Sequence, residues 1–242
     1  MPYEDTPKVM GDELIPWERP SPSFVTRALS TMGSAFAPME SAASILSTSS
    51  VGPALRFAAL FALPMMALWA VMPFTHTLEF KPGAVLEVTG GAAPAAIALD
   101  VLRAAGIGIG MGVVGIASWA VPFGSLLRAY APHPEQAVHA PAYAARLALY
   151  RGFLAPFAMG TLYLVSWLVP GLPVALFGVL SLVLSIMPRL ILLMHTVALA
   201  RACKLEGLPR LIVVLVPLAV EAAVGLVVSE GLTSLLPPPP SP

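Results

Sequence analysis

Five long apolar segments recur along the chain, at residues 51–74, 104–127, 152–169, 171–200 and 211–232. A helix rises about 1.5 Å per residue, so each segment can cross roughly 30 Å of hydrocarbon, the third only just. The pattern therefore predicts an all-α membrane protein, a five-transmembrane-helix bundle that occupies residues 51–232.

The basic residues follow an alternating pattern between these segments. The segments expected on one side of the membrane hold only Lys81 and Arg103, and those expected on the other side hold ten basic residues. The positive-inside rule therefore places the N-terminus in the cytoplasm and the C-terminus outside. The cytoplasmic set would comprise Lys8, Arg19, Arg27, Arg56, Arg128, Arg146, Arg151, Arg201, Lys204 and Arg210.

Composition agrees with a membrane protein. Hydrophobic residues make up 57% of the chain and charged residues 11%, with a mean hydropathy of +0.84, which excludes an ordinary water-soluble fold. The 13 basic and 13 acidic residues balance and form no basic run, so nucleic acid is not an expected partner. Abundant Ala, Pro and Gly indicate a bacterium with a GC-rich genome, and hence the bacterial inner membrane.

The two ends of the chain are rich in proline. Residues 1–22 carry several acidic residues and five prolines, which is the reverse of a signal peptide and predicts an extended, mobile cytoplasmic arm. Residues 233–242 predict a stiff, Pro-rich extracytoplasmic tail.

Residues 23–50 are amphipathic. Their apolar positions recur every three or four residues, which predicts an N-terminal interfacial helix that lies flat on the cytoplasmic face. Pro38 interrupts the pattern, so two short helices with a bend are expected. Residues 47–50, a run of Ser and Thr, offer an N-cap for the first span.

The second segment carries a row of glycines that predicts a helix-packing face. Overlapping small-xxx-small pairs of this kind let a neighbouring backbone approach closely. No strand precedes the row and no acidic ribose partner follows it, which argues against a nucleotide site. The glycines are Gly106, Gly108, Gly110, Gly112 and Gly115.

Two ionisable residues fall inside the last two segments, Arg189 and Glu221. Charges at membrane depth normally face the bundle and have a partner. Reflection about residue 205 maps one position onto the other, which predicts an intramembrane ion pair between antiparallel neighbours. A structural register pair, a proton- or ion-linked role and contact with a lipid headgroup are the alternatives for this pair.

Histidine and cysteine suggest little chemistry. His195 is a possible polar partner of the intramembrane pair, and no ligand set of metal-binding spacing surrounds it. His133 and His139 are interpreted as residues of an irregular, solvated loop, because Pro132, Pro134 and Pro141 surround them. Cys203 is interpreted as incidental, with palmitoylation as the alternative.

Catalytic motifs such as Gly-x-Ser-x-Gly and His-Glu-x-x-His do not occur in the sequence. We therefore expect no enzymatic activity, no catalytic residues and no cofactor. A scaffold or accessory subunit, a small transporter using Arg189, Glu221 and His195, and a subunit of a pigment or respiratory complex remain as hypotheses.

Three blocks of the chain together resemble a known family. They are Ile-Pro-Trp-Glu at 15–18 with Gly-Pro-Ala-Leu-Arg-Phe at 52–57, the Tyr- and Arg-containing block 143–150, and the stretch from 193 to Pro217 with its short basic loop. These blocks are similar to those of bacterial members of the Ypt-interacting protein (Yip) domain family.

The resemblance implies five spans, a cytoplasmic N-terminus and a non-enzymatic role beside the lipid bilayer and other membrane proteins, or further copies of itself. Eukaryotic relatives act in vesicle trafficking and bind small GTPases. That binding is not carried over here, because the composition indicates a bacterium.

Overall fold

The computed structural model describes residues 14–20, 23–71, 78–79, 87–88, 94–169 and 173–233, and almost all of them are helical. The all-α prediction is therefore confirmed. The helices are α1 Phe24–Gly33, α2 Pro38–Leu46, α3 Gly52–Phe57, α4 Leu63–Val71, α5 Pro94–Tyr130, α6 Pro134–Arg151, α7 Leu154–Leu168, α8 Val174–Ala202 and α9 Gly207–Thr233.

Shorter elements connect or precede these helices. Single 3-10 turns form at Pro16–Glu18 and Ser34–Phe36, and a π-helical turn at Ala58–Ala62 joins α3 to α4. Two short antiparallel strands, β1 Leu78–Glu79 and β2 Glu87–Val88, pair between α4 and α5.

Three helices in the described part are long and apolar enough to span a membrane, at Val101–Tyr130, Ala175–Ala202 and Gly207–Val228. They make the chain compatible with an integral membrane protein. The other two predicted spans are shorter: Gly52–Leu68 is the apolar helix of the first, and α7 has 15 residues, or about 22 Å of rise. The structure therefore supports three membrane-length helices, and the five-span bundle stays a prediction.

The loop expected around 132–141 is wrong from Pro134 onward, because α6 begins there and contains His139, whereas His133 precedes the helix as its N-cap. Pro134 opens the helix at a position where the missing N–H costs nothing. The helix then buries an apolar side along α5, and a Cβ on Gly124 would lie only 3.0 Å from the Cα of Pro141. Close packing on α5 thus stabilises a segment that its prolines alone would suggest is irregular.

The predicted bend in residues 23–50 is confirmed, since α1 and α2 are separate helices and Pro38 opens the second. The expected cap is wrong: Val51 is the N-cap of α3 and makes no side-chain bond, while Pro53 in the first turn lacks an N–H. An interfacial position for these helices stays a prediction.

The predicted mobile arm is also wrong for residues 14–20. Ile15 and Trp17 are 4% and 9% exposed, and the indole packs edge-on against the rings of Phe57 and Phe61 at 5.5 and 5.6 Å. Burial of these apolar side chains outweighs the local preference of a Pro-rich segment. Residues 1–13 and 21–22 of the arm, and 234–242 of the predicted tail, lie outside the described residues.

The turn between α8 and α9 is centred close to residue 205, as the reflection assumes. Lys204 adopts a left-handed φ of 58°, and the N–H of Leu205 donates to the carbonyl of Ala200 at 3.0 Å. These features define a Schellman ending for α8. α9 then packs more extensively on α5 than on α8, which leaves space between the last two helices.

Candidate functional site

Arg146 on α6 is the centre of a buried polar cluster. Its side chain is fully buried, and Nη2 donates to both carboxylate oxygens of Glu18, at 2.7 and 2.8 Å. Tyr150, one turn further along α6, donates its hydroxyl to the same carboxylate at 2.7 Å. Three charge-assisted hydrogen bonds therefore attach the 3-10 turn of the N-terminal segment to α6.

The same guanidinium also caps the end of α2. Arg146 Nη1 donates to the carbonyls of Ile45 and Thr48, and Nη2 lies 3.5 Å from the carbonyl of Ser44. The last carbonyls of a helix lack intrahelical donors and carry partial negative charge. One arginine thus joins the N-terminal segment, α2 and α6.

Arg151, at the end of α6, caps the end of α1 in the same way. It is 5% exposed, and its guanidinium donates to the carbonyls of Thr31 and Ser34 at 3.4 and 3.1 Å. It also donates to Ser41 Oγ at 2.9 Å, and that hydroxyl in turn donates to the Ser34 carbonyl at 2.8 Å. We call Glu18, Arg146, Tyr150 and Arg151 the arginine cluster.

Burial controls the protonation of two members of the arginine cluster. It lowers the pKa of Arg151 to about 10, so this side chain still carries its proton at neutral pH. Burial, and then the hydrogen bond to Glu18, raise the pKa of Tyr150 well above its usual range. Tyr150 therefore remains a hydrogen-bond donor, and the cluster is suited to holding helices in place.

Aromatic side chains cover the cluster. Phe57 of α3 is fully buried, and its ring lies 5.4 Å from that of Tyr150. The guanidinium of Arg27 lies 5.6 Å from the ring centre of Trp17, a cation–π arrangement. The blocks at 15–18, 52–57 and 143–150 therefore meet in one core.

Arg151 also lines a cavity of about 410 Å³. Its walls come from α4, α5, α8, α9 and the junction of α6 with α7. Arg189 and Glu221 both line it, but within the described part of the chain neither has an ion-pair partner within 4.0 Å. They face one space without the predicted direct contact, because α9 lies mainly along α5.

His195 does not join this pair. It is 1% exposed, its Nδ1 lies 2.8 Å from the carbonyl of Ile191 one turn earlier in α8, and the cavity walls do not include it. Its Nε2 has no hydrogen-bond partner among the described residues. The three polar residues that the sequence grouped, Arg189, Glu221 and His195, therefore occupy two separate environments.

The glycine row has a mixed environment. A Cβ on Gly108 would lie 2.5 Å from the carbonyl oxygen of Met66, and a Cβ on Gly112 would overlap the Met66 sulfur. α4 can approach α5 only because these two positions lack side chains. At Gly106, Gly110 and Gly115 a Cβ would meet nothing within 4 Å, and Gly112 and Gly115 line the cavity.

Sequence reasoning assigned both arginines of the cluster to the positive-inside pattern, and Arg146 also to the block 143–150, but predicted no buried partner for either. A stronger signal lies in the helical repeat of α6. Tyr143, Arg146, Leu147 and Tyr150 follow the i, i+3, i+4, i+7 spacing of a buried stripe, which puts Arg146 among apolar neighbours. A charge on such a stripe indicates a buried partner.

The family models, curated proteins and solved structures that were compared with the chain do not match it. Among the described residues, no three His, Cys, Asp or Glu side chains form a group that could hold a metal ion. The functional interpretation therefore depends on the arginine cluster and the cavity.

Proposed function

We propose that this chain is a non-enzymatic membrane protein, similar to the bacterial Yip domain family, that serves as a scaffold or accessory subunit of a membrane protein complex. In this proposal it lies in the inner membrane with its N-terminus in the cytoplasm. The observation that carries the proposal is the arginine cluster, which fixes two amphipathic helices to the bundle.

Rigid attachment leaves apolar side chains of these helices, and of the 3-10 turn between them, on the surface. Val25, Leu29, Phe36 and Met39 are 62%, 64%, 69% and 56% exposed, respectively. Groups of exposed apolar side chains mark sites of protein or membrane contact. We infer that α1 and α2 form a preassembled docking surface, because their inner sides already bind Arg146 and Arg151.

Purification in mild detergent followed by mass spectrometry tests this role. Wild-type protein should bring down a defined partner, and the Leu29→Glu/Phe36→Glu variant should lose it. Val138→Glu is the matched control, because Val138 is 69% exposed on α6, away from the docking surface. Recovery of a lone wild-type monomer under every mild condition would count against the proposal.

A small proton- or ion-linked transporter is the second candidate. The observation that favours it is the shared cavity of Arg189 and Glu221. In this case Glu221→Gln should abolish uptake in vesicles while the protein remains folded. A role for His195 is less favoured, since the cavity walls do not include this residue.

A further inference from the structure

We propose that the cavity binds the headgroup of a zwitterionic phospholipid that carries a primary ammonium group, such as phosphatidylethanolamine. The inference requires that α8 and α9 lie in the bilayer, and it is independent of the scaffold role. The volume of the cavity, about 410 Å³, lies within the range of small-molecule sites.

Two opposite charges on the cavity wall supply the polar recognition. The guanidinium of Arg189 has the geometry to donate to a phosphate, and the carboxylate of Glu221 can accept from an ammonium. Since neither has an ion-pair partner within 4.0 Å in the described residues, both are available to a ligand placed between them. Phosphoethanolamine joins its phosphate and ammonium through a short linker, so one headgroup can engage both.

Further unused donors lie on the same walls. Trp119 is 1% exposed, and its indole N–H has no acceptor among the described residues. The Nε of Arg151 is likewise buried and without a partner there. Buried donors without acceptors are rare in native proteins, and a phosphate ester offers the oxygens that they lack.

The remaining lining suits an acyl glycerol. Met66, Ile116, Leu154 and Leu184 provide apolar walls, and Gly115 of α5 leaves room beside them, because a Cβ there would meet nothing within 4 Å. Arg189 is exposed although it lines the cavity, and it lies on the membrane-length helix Ala175–Ala202. The cavity mouth at Arg189 therefore faces the bilayer, from which a lipid can enter sideways.

Lipid retention in native mass spectrometry tests the proposal. The wild-type protein is exchanged into equal amounts of phosphatidylethanolamine, phosphatidylcholine and phosphatidylglycerol, and the lipids that stay bound are counted. We expect retention of phosphatidylethanolamine to exceed each of the others by about tenfold, because only this lipid offers both a phosphate and ammonium N–H donors. Equal retention of the three lipids would mean ordinary annular lipid and would overturn the proposal.

Charge variants distinguish recognition of the ammonium group from recognition of the phosphate. Glu221→Gln should reduce the preference for phosphatidylethanolamine over phosphatidylcholine to about twofold or less, since it removes the ammonium acceptor. Arg189→Gln should reduce retention of all three lipids. The exposed Glu206→Gln and Arg201→Gln are the matched controls outside the cavity and should leave retention unchanged. Unaltered preference in Glu221→Gln would overturn the assignment.

Substitutions that fill the cavity provide an independent test of the lipid site. Gly115→Leu places a side chain into the cavity, and Gly110→Leu places one on the same helix at a position that does not line it; neither Cβ meets an atom within 4 Å. Only Gly115→Leu should lose the lipid, with folding checked by protection of the buried Cys203. Retained lipid in folded Gly115→Leu, or binding of soluble phosphoethanolamine as tight as that of the lipid, would refute the lipid site.

Discussion

Replacing Glu18 with Gln removes the negative charge that Arg146 faces inside the protein. The two side chains are 5% and 0% exposed, so the unpaired guanidinium would remain away from water. Removal of one partner from a buried pair typically costs about 3–5 kcal/mol. Backbone carbonyls still accept from Arg146, so we expect the lower end, about 3 kcal/mol less free energy of unfolding.

A loss of this size is measurable as a thermal shift. For a chain of 242 residues it corresponds to a decrease in Tm of roughly 6–12 °C. The chain contains one cysteine, Cys203, which is fully buried. A thiol-reactive fluorogenic dye therefore reports unfolding of the purified protein in detergent without any engineered probe.

Glu40→Gln is the matched control for Glu18→Gln. Glu40 is an exposed residue in the first turn of α2 and has the same charge. Surface substitutions usually change stability by less than about 0.5 kcal/mol, so Tm should move by no more than about 2 °C. If Glu18→Gln lowers Tm no more than Glu40→Gln does, the arginine cluster does not hold the N-terminal segment.

Three more substitutions or conditions test the packing. Gly112→Leu should lower the free energy of unfolding by about 1–3 kcal/mol through overpacking against α4, whereas Gly110→Leu should be near neutral in the same dye assay. Ser41→Ala removes two hydrogen bonds at the α1–α2 bend and should cost about 1–3 kcal/mol, with Ser44→Ala, which loses only a bond to the Glu40 carbonyl of the same helix, as control. Burial raises the pKa of the Cys203 thiol from 9.0 to about 11, so the unfolded state loses this proton first and stability should fall between these pH values. Denaturant titrations across this range, compared with Cys203→Ala, measure that slope.

Hydropathy was sufficient for the helical class and for three membrane-length helices, because those properties depend on composition over one segment. The bend at Pro38 was likewise predictable, since a proline has no N–H to donate and is favoured in the first turn of a helix, where Pro38 begins α2. The loop expected around 132–141 failed for the opposite reason. α6 exists because its buried side packs on α5, and prolines read in isolation do not reveal that contact.

The Arg189–Glu221 expectation shows the same limit at finer resolution. Reflection about residue 205 correctly identified two positions that face one space. It assumed that α8 and α9 are mutual nearest neighbours, whereas α9 packs mainly on α5. Because α9 packs mainly on α5 rather than on α8, Arg189 and Glu221 lie on two walls of one cavity and do not form a direct ion pair.

The sequence by itself determined the helical class, the three membrane-length helices and the amphipathic segment, since these follow from residues close together in the chain. Only the tertiary structure decided where the charges are satisfied. Glu18 and Arg146 are 128 residues apart, and their contact forms because a buried guanidinium requires a carboxylate and carbonyl oxygens within hydrogen-bond distance. That requirement turns a segment with the composition of a mobile arm into part of the core.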